Sequence, residues 1–437
     1  MTPSARLSAA IEILTELEVR ARPVAEVLKE WGRAHRYAGS GDRAAIGSLV
    51  YDALRRRASS AYVMGVETPR AVALGMLALA RDLDLAAIEK LCDGSRFAPE
   101  PLSGDEKKRL KKPSLARVPA HVKGDYPEWL DEQFKEVFGQ DRAEEGEALA
   151  ARAPLDLRAN TLLARREKLV AELSHLHAVE SGWSPFGLRI PLDEQGRNPP
   201  ATSEPAFQKG WFEVQDEGSQ LAAVLTGAKA GEQVLDLCAG AGGKTLALAA
   251  LMENKGQIFA YDGDVRRLAP IFDRLKRAQA RNVQVRAPKG RTEKGKTEVL
   301  ADLHARMDLV LVDAPCTGTG IWRRHPDAKW RMRPGALEIR VREQAKLLDQ
   351  AVAFARPGGR IVYVTCSLLP AENSAQIEGF VSRHDGWQAT PGKDICKTLG
   401  GRGAILQKAA KLLPEGLLLT PKRTNTDGFF IAVLRKV

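Results

Sequence analysis

Apolar positions along this chain recur with two different periods, and the change of period divides it. Between residues 4 and 98 the spacing is that of amphipathic helices: Leu7, Ile11, Leu14 and Leu17 fall on one face, as do Ile46, Leu49, Val50 and Leu54. From Trp211 onward the pattern becomes short apolar runs, each closed by a glycine or acidic turn and followed by a helical stretch. Runs at 233–237, 257–261, 282–285, 308–312 and 360–365 predict the strands of a Rossmann-like, doubly wound α/β sheet. Between these regions, Leu155–Thr161 followed by a helical pattern predicts a small α+β module. Pro101, Gly104, the cluster Lys107-Lys108-Arg109-Leu110-Lys111-Lys112, Pro113, Pro119 and Gly124 mark a basic connector, equally readable as a solvated linker or an RNA contact. The expected division is therefore a helical domain with its connector over 1–125, an α+β module over 126–210 and the large sheet over 211–437.

The ends of the predicted strands carry the candidate chemistry, because ligands of open α/β sheets bind beyond the carboxyl ends of the strands. Cysteine occurs only five times in 437 residues, yet Cys316 and Cys366 each stand just past a buried-looking strand. Both thiols are thus expected at one site. A third strand runs into Cys238-Ala239-Gly240-Ala241-Gly242-Gly243-Lys244. Gly243-Lys244-Thr245 imitates the end of a phosphate-binding P-loop, but Cys238 occupies the position of its first glycine, where a side chain would obstruct the backbone cradle. The loop reads instead as a tight turn from strand to helix that lets a ligand approach the backbone. Asp262 closes the next strand, 22 residues beyond Gly240, a separation that suits a carboxylate bonded to ribose hydroxyls. Loop and acid fit NAD or S-adenosylmethionine.

The thiols decide between those cofactors. Carbon-5 of cytosine attacks a methyl group only after a thiolate has added at carbon-6, and a hydrogen-bonding group at the N3 edge assists that addition. Asp313, three residues before Cys316, is the candidate for this role, and which thiol attacks is not visible in the spacing. Charge agrees with a polyanionic substrate: 66 lysines and arginines against 55 acids give a net charge of +11. The seven histidines show no metal-ligand spacing, and His325 reads as a loop-ordering residue or an RNA contact. No metal is expected. Neither a signal-peptide core nor a membrane-length apolar run is present, so a cytoplasmic monomer with reduced thiols is expected.

Taken in order, Cys238 to Lys244, Asp313-Ala314-Pro315-Cys316-Thr317-Gly318-Thr319-Gly320, Arg323-Arg324-His325-Pro326-Asp327, Thr365-Cys366-Ser367 with Glu372-Asn373, and Asp427-Gly428-Phe429-Phe430 resemble the Nol/Nop/Sun family of RNA cytosine carbon-5 methyltransferases. The helical first domain, through Asp42-Arg43-Ala44-Ala45 and Tyr51-Asp52-Ala53-Leu54-Arg55, resembles the NusB-like RNA-binding domain of family members that act on 16S rRNA. The resemblance implies a class I methyltransferase fold and S-adenosylmethionine bound by Cys238, Ala239, Gly240, Ala241, Gly242, Gly243, Lys244, Asp262, Arg267 and Asp313. It further implies Cys366 as nucleophile and Cys316 as the thiol that aids release, with Asp313 and Lys244 completing the catalytic set. For Arg267 a surface ion pair is an adequate alternative.

Two positions depart from the family pattern. Ala241 stands where proline is usual, and the strand ending at Val285 continues Arg286-Ala287-Pro288-Lys289-Gly290-Arg291 where an acid on the adenine side is usual. The basic stretch 286–296 is expected to face RNA or to be a solvated insertion. The implied partner is 16S rRNA, before or during subunit assembly. A tRNA methyltransferase or a catalytically silent ribosome-assembly factor are the alternatives.

Overall fold

The computed structural model describes residues 1–193, 196–290, 295 and 298–436. They form two compact units, Met1–Ala151 with Trp322–Arg333, and Arg152–Ile321 with Pro334–Val437.

The first unit is helical. Helix Pro3–Val19 opens with Thr2 capping the Ala5 amide and buries Leu7, Ala10, Ile13 and Leu14, while Ile11 and Leu17 pack at the margin of the same core. Ile46, Val50 and Leu54 of helix Ser40–Arg55 complete it with Leu74, Met76 and Leu77 of helix Pro69–Ala80. The basic cluster lies largely in a helix, Gly104–Leu110, opened by a capping box of Ser103 and Glu106 and anchored by buried Leu110. The capping box and the burial of Leu110 hold this turn of helix between Pro101 and Pro113.

Trp322–Arg333, far along the chain, is also part of this unit. Lys329 is buried and donates to the carbonyls of Asp125 at 2.6 Å and Arg55 at 3.0 Å, and burial pushes its ammonium down to about 7. Trp330 Nε1 donates to the Leu54 carbonyl at 2.6 Å, and Asp327 accepts from the Val24 amide. With the Arg323 carbonyl accepting from Arg55 at 2.7 Å, both ends of the motif Arg323 to Asp327 are tied to the helical unit, and His325 precedes helix Pro326–Arg331.

The second unit holds two sheets. The smaller, antiparallel sheet joins β1 (Leu155–Ala159), β2 (Val179–Glu180), β3 (Gly187–Ile190) and β4 (Phe212–Val214) in the order β2-β3-β1-β4. The larger contains β5 (Gln233–Asp236), β6 (Gln257–Tyr261), β7 (Val283–Arg286), β8 (Met307–Asp313), β9 (Ala355–Thr365), β10 (Trp387–Ala389), β11 (Lys411–Leu413), β12 (Gly416–Leu419) and β13 (Phe429–Lys436). Its order is β11-β12-β13-β9-β8-β5-β6-β7, parallel from β9 to β7, with β13 antiparallel to β9 and β10 pairing β13. All five expected strands are present, and continuous apolar runs such as Leu309–Val312 are buried between covering helices. The chain leaves β5 toward β6 and β7, then returns to β8 on the opposite side, so the crevice of the sheet opens between β5 and β8. Among the described residues, no single helix is long and apolar enough to cross a membrane.

One helix crossing in the first unit gives a test of packing against propensity. A Cβ on Gly75 would lie 2.8 Å from the Cα, Cβ and carbonyl oxygen of Ser60. Gly75→Ala gains at most about 1 kcal/mol of helix propensity, whereas overpacking costs about 1–3 kcal/mol. The substitution should therefore lower the thermal unfolding midpoint; a rise would show that the helices can separate without loss.

Candidate active site

The turn after β5 is built for close approach. Gly240 and Gly242 take left-handed φ values of 50° and 83°, and a Cβ on Gly242 would meet Ile271 at 2.5 Å. Helix Gly243–Leu251 begins immediately afterwards. Asp262, buried at the end of β6, accepts the Gly240 amide at 3.0 Å and the Asp264 amide at 2.9 Å. Arg267 stands 3.6 Å from Asp262 with half of its side chain exposed, so it is at once a partner of the site acid and a surface ion pair. Cys238 is buried, and desolvation pushes its thiol well above the ordinary range. Ala239 donates its amide to the Tyr261 carbonyl, tying the loop to β6. Ala241 is held from outside: Arg274 donates to its carbonyl at 2.8 Å and is itself fixed by buried Glu213 at 2.9 Å.

Across the crevice, Lys244 is buried on the first turn of its helix and donates to Asp313 at 2.6 Å. Its ammonium also lies 5.2 Å from the centre of the Phe429 ring. The parallel register pairs Asp313 with Val364, and the Ala314 amide donates to the Val364 carbonyl at 2.8 Å. Cys316 and Cys366 consequently meet, with their sulfurs 3.3 Å apart. The bond to Cys366 and burial push Cys316 well above the usual thiol range. Two thiols this close cannot both ionise readily.

A buried polar network keeps the Cys316 loop in place. Glu372 accepts from the Thr317 amide and from Gln344 Nε2, each at 2.9 Å, and also from the Thr317 hydroxyl. Gln344 bonds the Pro315 carbonyl at 2.9 Å, and Tyr363 donates its hydroxyl to the Glu372 carbonyl. On the other strand end, Thr365 donates to Asn373, which donates in turn to the Ser367 carbonyl. The Gly320 amide closes the arrangement on the Cys366 carbonyl at 2.9 Å.

Lys244, Asp313, Cys316 and Cys366 thus converge, while Asp262 and Arg267 lie along the crevice beside the glycine turn. Sequence reasoning did not single out Asp236, the last residue of β5. It is buried and accepts from Thr245 at 2.7 Å, and burial pushes its carboxyl up to about 7. An acid closing an apolar run was the available signal. Gln344 had none, because it lies within a long helix with no local motif. At the end of β7, Arg286 bonds Asp302 at 2.8 Å and lies over the Phe259 ring, so this strand does end in a base. Arg291, Lys294 and Lys296 of the expected basic loop lie outside the described residues.

Comparison with known proteins places these features in a family. Residues 223–435 match the family model described as 16S rRNA methyltransferase RsmB/F. The chain is 32% identical over 314 residues to a probable ribosomal RNA small subunit methyltransferase B of Synechocystis, covering 71% of this chain and 67% of that protein. It is 33% identical over 313 residues to ribosomal RNA small subunit methyltransferase B of Escherichia coli, with 71% and 66% covered. The chain thus spans about two thirds of the length of these relatives. Among solved structures, PH0851 superposes with a TM-score of 0.73 at 26% identity over 100% of this chain and 99% of that one. A methyltransferase homologue from Pyrococcus horikoshii gives 0.57 at 27% identity, over 74% and 100%. With the class I methyltransferase sheet and the ordered motifs along its edge, the chain belongs to the 16S rRNA methyltransferase RsmB/F family of RNA methyltransferases, and its cofactor is S-adenosylmethionine.

Proposed function

We propose that the protein methylates carbon-5 of a cytosine in 16S rRNA through a covalent adduct at carbon-6, with Cys366 as nucleophile and Cys316 as the thiol that aids release. The observation that carries this reading is the contact of the two sulfurs at 3.3 Å beside the Lys244–Asp313 pair.

The residues along the crevice fit the cofactor. A Cβ on Gly240 would project toward Arg267 and Asp262, at 3.6 and 3.9 Å, so glycine keeps open the space where a ligand meets the acid. Cys238 to Lys244 offer the loop, Asp262 accepts from ribose hydroxyls, Arg267 steadies Asp262, and Asp313 presents a carboxyl oxygen toward a sulfonium. When bound, S-adenosylmethionine supplies an electrophilic methyl group.

The chain's own groups do the rest. The Cys366 thiolate forms a bond to carbon-6 of the cytosine, and the ring electrons shift so that carbon-5 becomes nucleophilic. As the bond forms, negative charge builds at N3, and the Asp313 carboxyl, oriented by Lys244, meets it in its protonated form by giving its proton to N3. After methylation, with Cys366 held as a thioether, Cys316 gives up its own proton to solvent and its thiolate takes the carbon-5 proton; the carbon-5–carbon-6 double bond re-forms, the Cys366 sulfur departs as thiolate and N3 returns its proton to Asp313. A protonated Cys316 can donate to the sulfur of Cys366, which favours the thiolate at Cys366. The division of labour accompanying this reading gives RNA binding to residues 1–125 and 126–210 and transfer to 211–437. The protein acts as a cytoplasmic monomer in this reading, and the fold is suited to an extruded base rather than a paired one.

Cys366→Ala should abolish both methyl transfer and adduct, whereas Cys316→Ala should leave protein covalently attached to RNA as a denaturant-resistant shifted band. The reverse pattern would assign attack to Cys316. Asp262→Asn keeps the side-chain volume but removes the charge, and should weaken cofactor binding by about 1–3 kcal/mol in calorimetry. An unchanged affinity would remove Asp262 from the cofactor site. Extracting a base costs less in naked or partly assembled rRNA than in a finished subunit, so the full chain should methylate the former well and the latter poorly. Preferential methylation of tRNA would reject the 16S assignment, and loss of both cofactor binding and methyl incorporation into any RNA would favour a silent assembly factor.

A further inference from the structure

The helical unit carries an open cleft of about 690 Å³ that the chemistry above does not use. Its floor is Trp31, which stacks on His35 with ring centres 4.2 Å apart, and His35 meets Tyr37 edge-on. The first turns of helix Pro3–Val19 form one wall, and residues 96–98 form the other. Two large rings line it in the open: Tyr37 is 72% exposed and Phe97 is 68% exposed. Exposed aromatic rings lining one cleft of a folded surface are costly unless something covers them.

Phe97 is held outward by its backbone. Its φ is +74°, a left-handed value that a bulky side chain rarely adopts. The loop is nevertheless well fastened. The Gly94 amide donates to the Pro99 carbonyl at 3.1 Å, the Ala98 amide to the Ser95 carbonyl at 2.8 Å, and the Ser8 hydroxyl to the Phe97 carbonyl at 2.9 Å. Conformational strain that the surroundings enforce tends to accompany ligand contact. Arg96 lies 4.9 Å from the Phe97 ring and forms no ion pair among the described residues. Glu12 is the acid among the described lining residues.

Flat open rings with an unpaired guanidinium beside them match an unpaired nucleotide: the base stacks and a phosphate finds the arginine. A duplex, whose bases are already stacked, cannot use the rings. We propose that this cleft receives an unpaired base of the RNA substrate, stacked on Phe97 or Tyr37, with a flanking phosphate beside Arg96. The proposal rests on the reading of RNA as substrate and locates a contact for it away from the thiols. It makes these residues determinants of which RNA segment is held, not of the transfer step.

Phe97→Gly separates function from stability, because glycine removes the ring and also accepts the left-handed backbone. The full-length variant should keep or raise its thermal midpoint, yet bind a single-stranded oligoribonucleotide of about twelve nucleotides roughly tenfold more weakly, with affinity for a blunt RNA duplex unchanged. Phe97→Tyr should bind the single strand as the parent does. In methylation of naked rRNA the Phe97→Gly protein should show a raised KM and an unchanged kcat. Single-strand affinity equal to that of the parent would overturn the proposal, as would an altered oligomeric state by light scattering, which would assign the rings to self-association. Photo-crosslinks from thiouridine-containing RNA should fall within residues 31–37 or 93–98, and crosslinks confined to other segments would also overturn it. If the parent binds and crosslinks here but methylates no RNA, the cleft stands and the proposed activity falls.

Discussion

The parallel pairing of β8 with β9 is the constraint on which the site depends. Register sets Asp313 beside Val364, so the chain leaves both strands at the same height on the sheet. A slip of one residue would turn Val364 and its alternating neighbours to the other face. Such a slip is opposed by the burial of Leu309–Val312 and Ile361–Val364, all of which are fully withdrawn from water. Two residues separated by 50 positions therefore meet through backbone ladders, and the sulfurs need no local sequence signal to find each other.

Register alone does not aim the side chains. Glu372 is a buried carboxylate, and such a group is expensive to desolvate unless its oxygens are bonded. Here the Thr317 amide, the Thr317 hydroxyl and the Gln344 amide group satisfy it. The same bonds pin the residue after Cys316, so the polar group that would otherwise cost stability becomes the device that orients a thiol. Asn373 plays the matching part for the Cys366 strand end through Thr365 and Ser367.

The cofactor side of the crevice shows how a departure from a family pattern can be absorbed. Proline would stiffen the glycine turn through its fixed φ. This chain has Ala241, and its carbonyl is instead held by Arg274, braced on Glu213 of the smaller sheet's last strand. The constraint has moved from the backbone of the loop to a side chain that reaches it. At the end of β7 the change goes further, since Arg286 reverses the usual charge and takes Asp302 as its partner.

The sequence by itself determined the periodicity classes, the strand ends and the residue types that stand there. Short apolar runs rich in β-branched residues and closed by turn residues read as interior strands, and an acid, a glycine or a cysteine placed just after such a strand emerges at the sheet edge. For that reason Lys244, Asp262, Asp313, Cys316 and Cys366 were legible before any coordinates. Tertiary structure alone decided what depends on distant packing. Gln344 reaches Glu372 from the middle of a long helix, Asp236 titrates high because neighbouring layers exclude water, and Trp322–Arg333 joins the helical unit although the chain on either side belongs to the other. The basic cluster at 107–112 likewise became a capped helix because Leu110 finds a core to enter. Local pattern records what a segment can bury, but the partner that completes a hydrogen bond or excludes the solvent is set only when remote segments close around it.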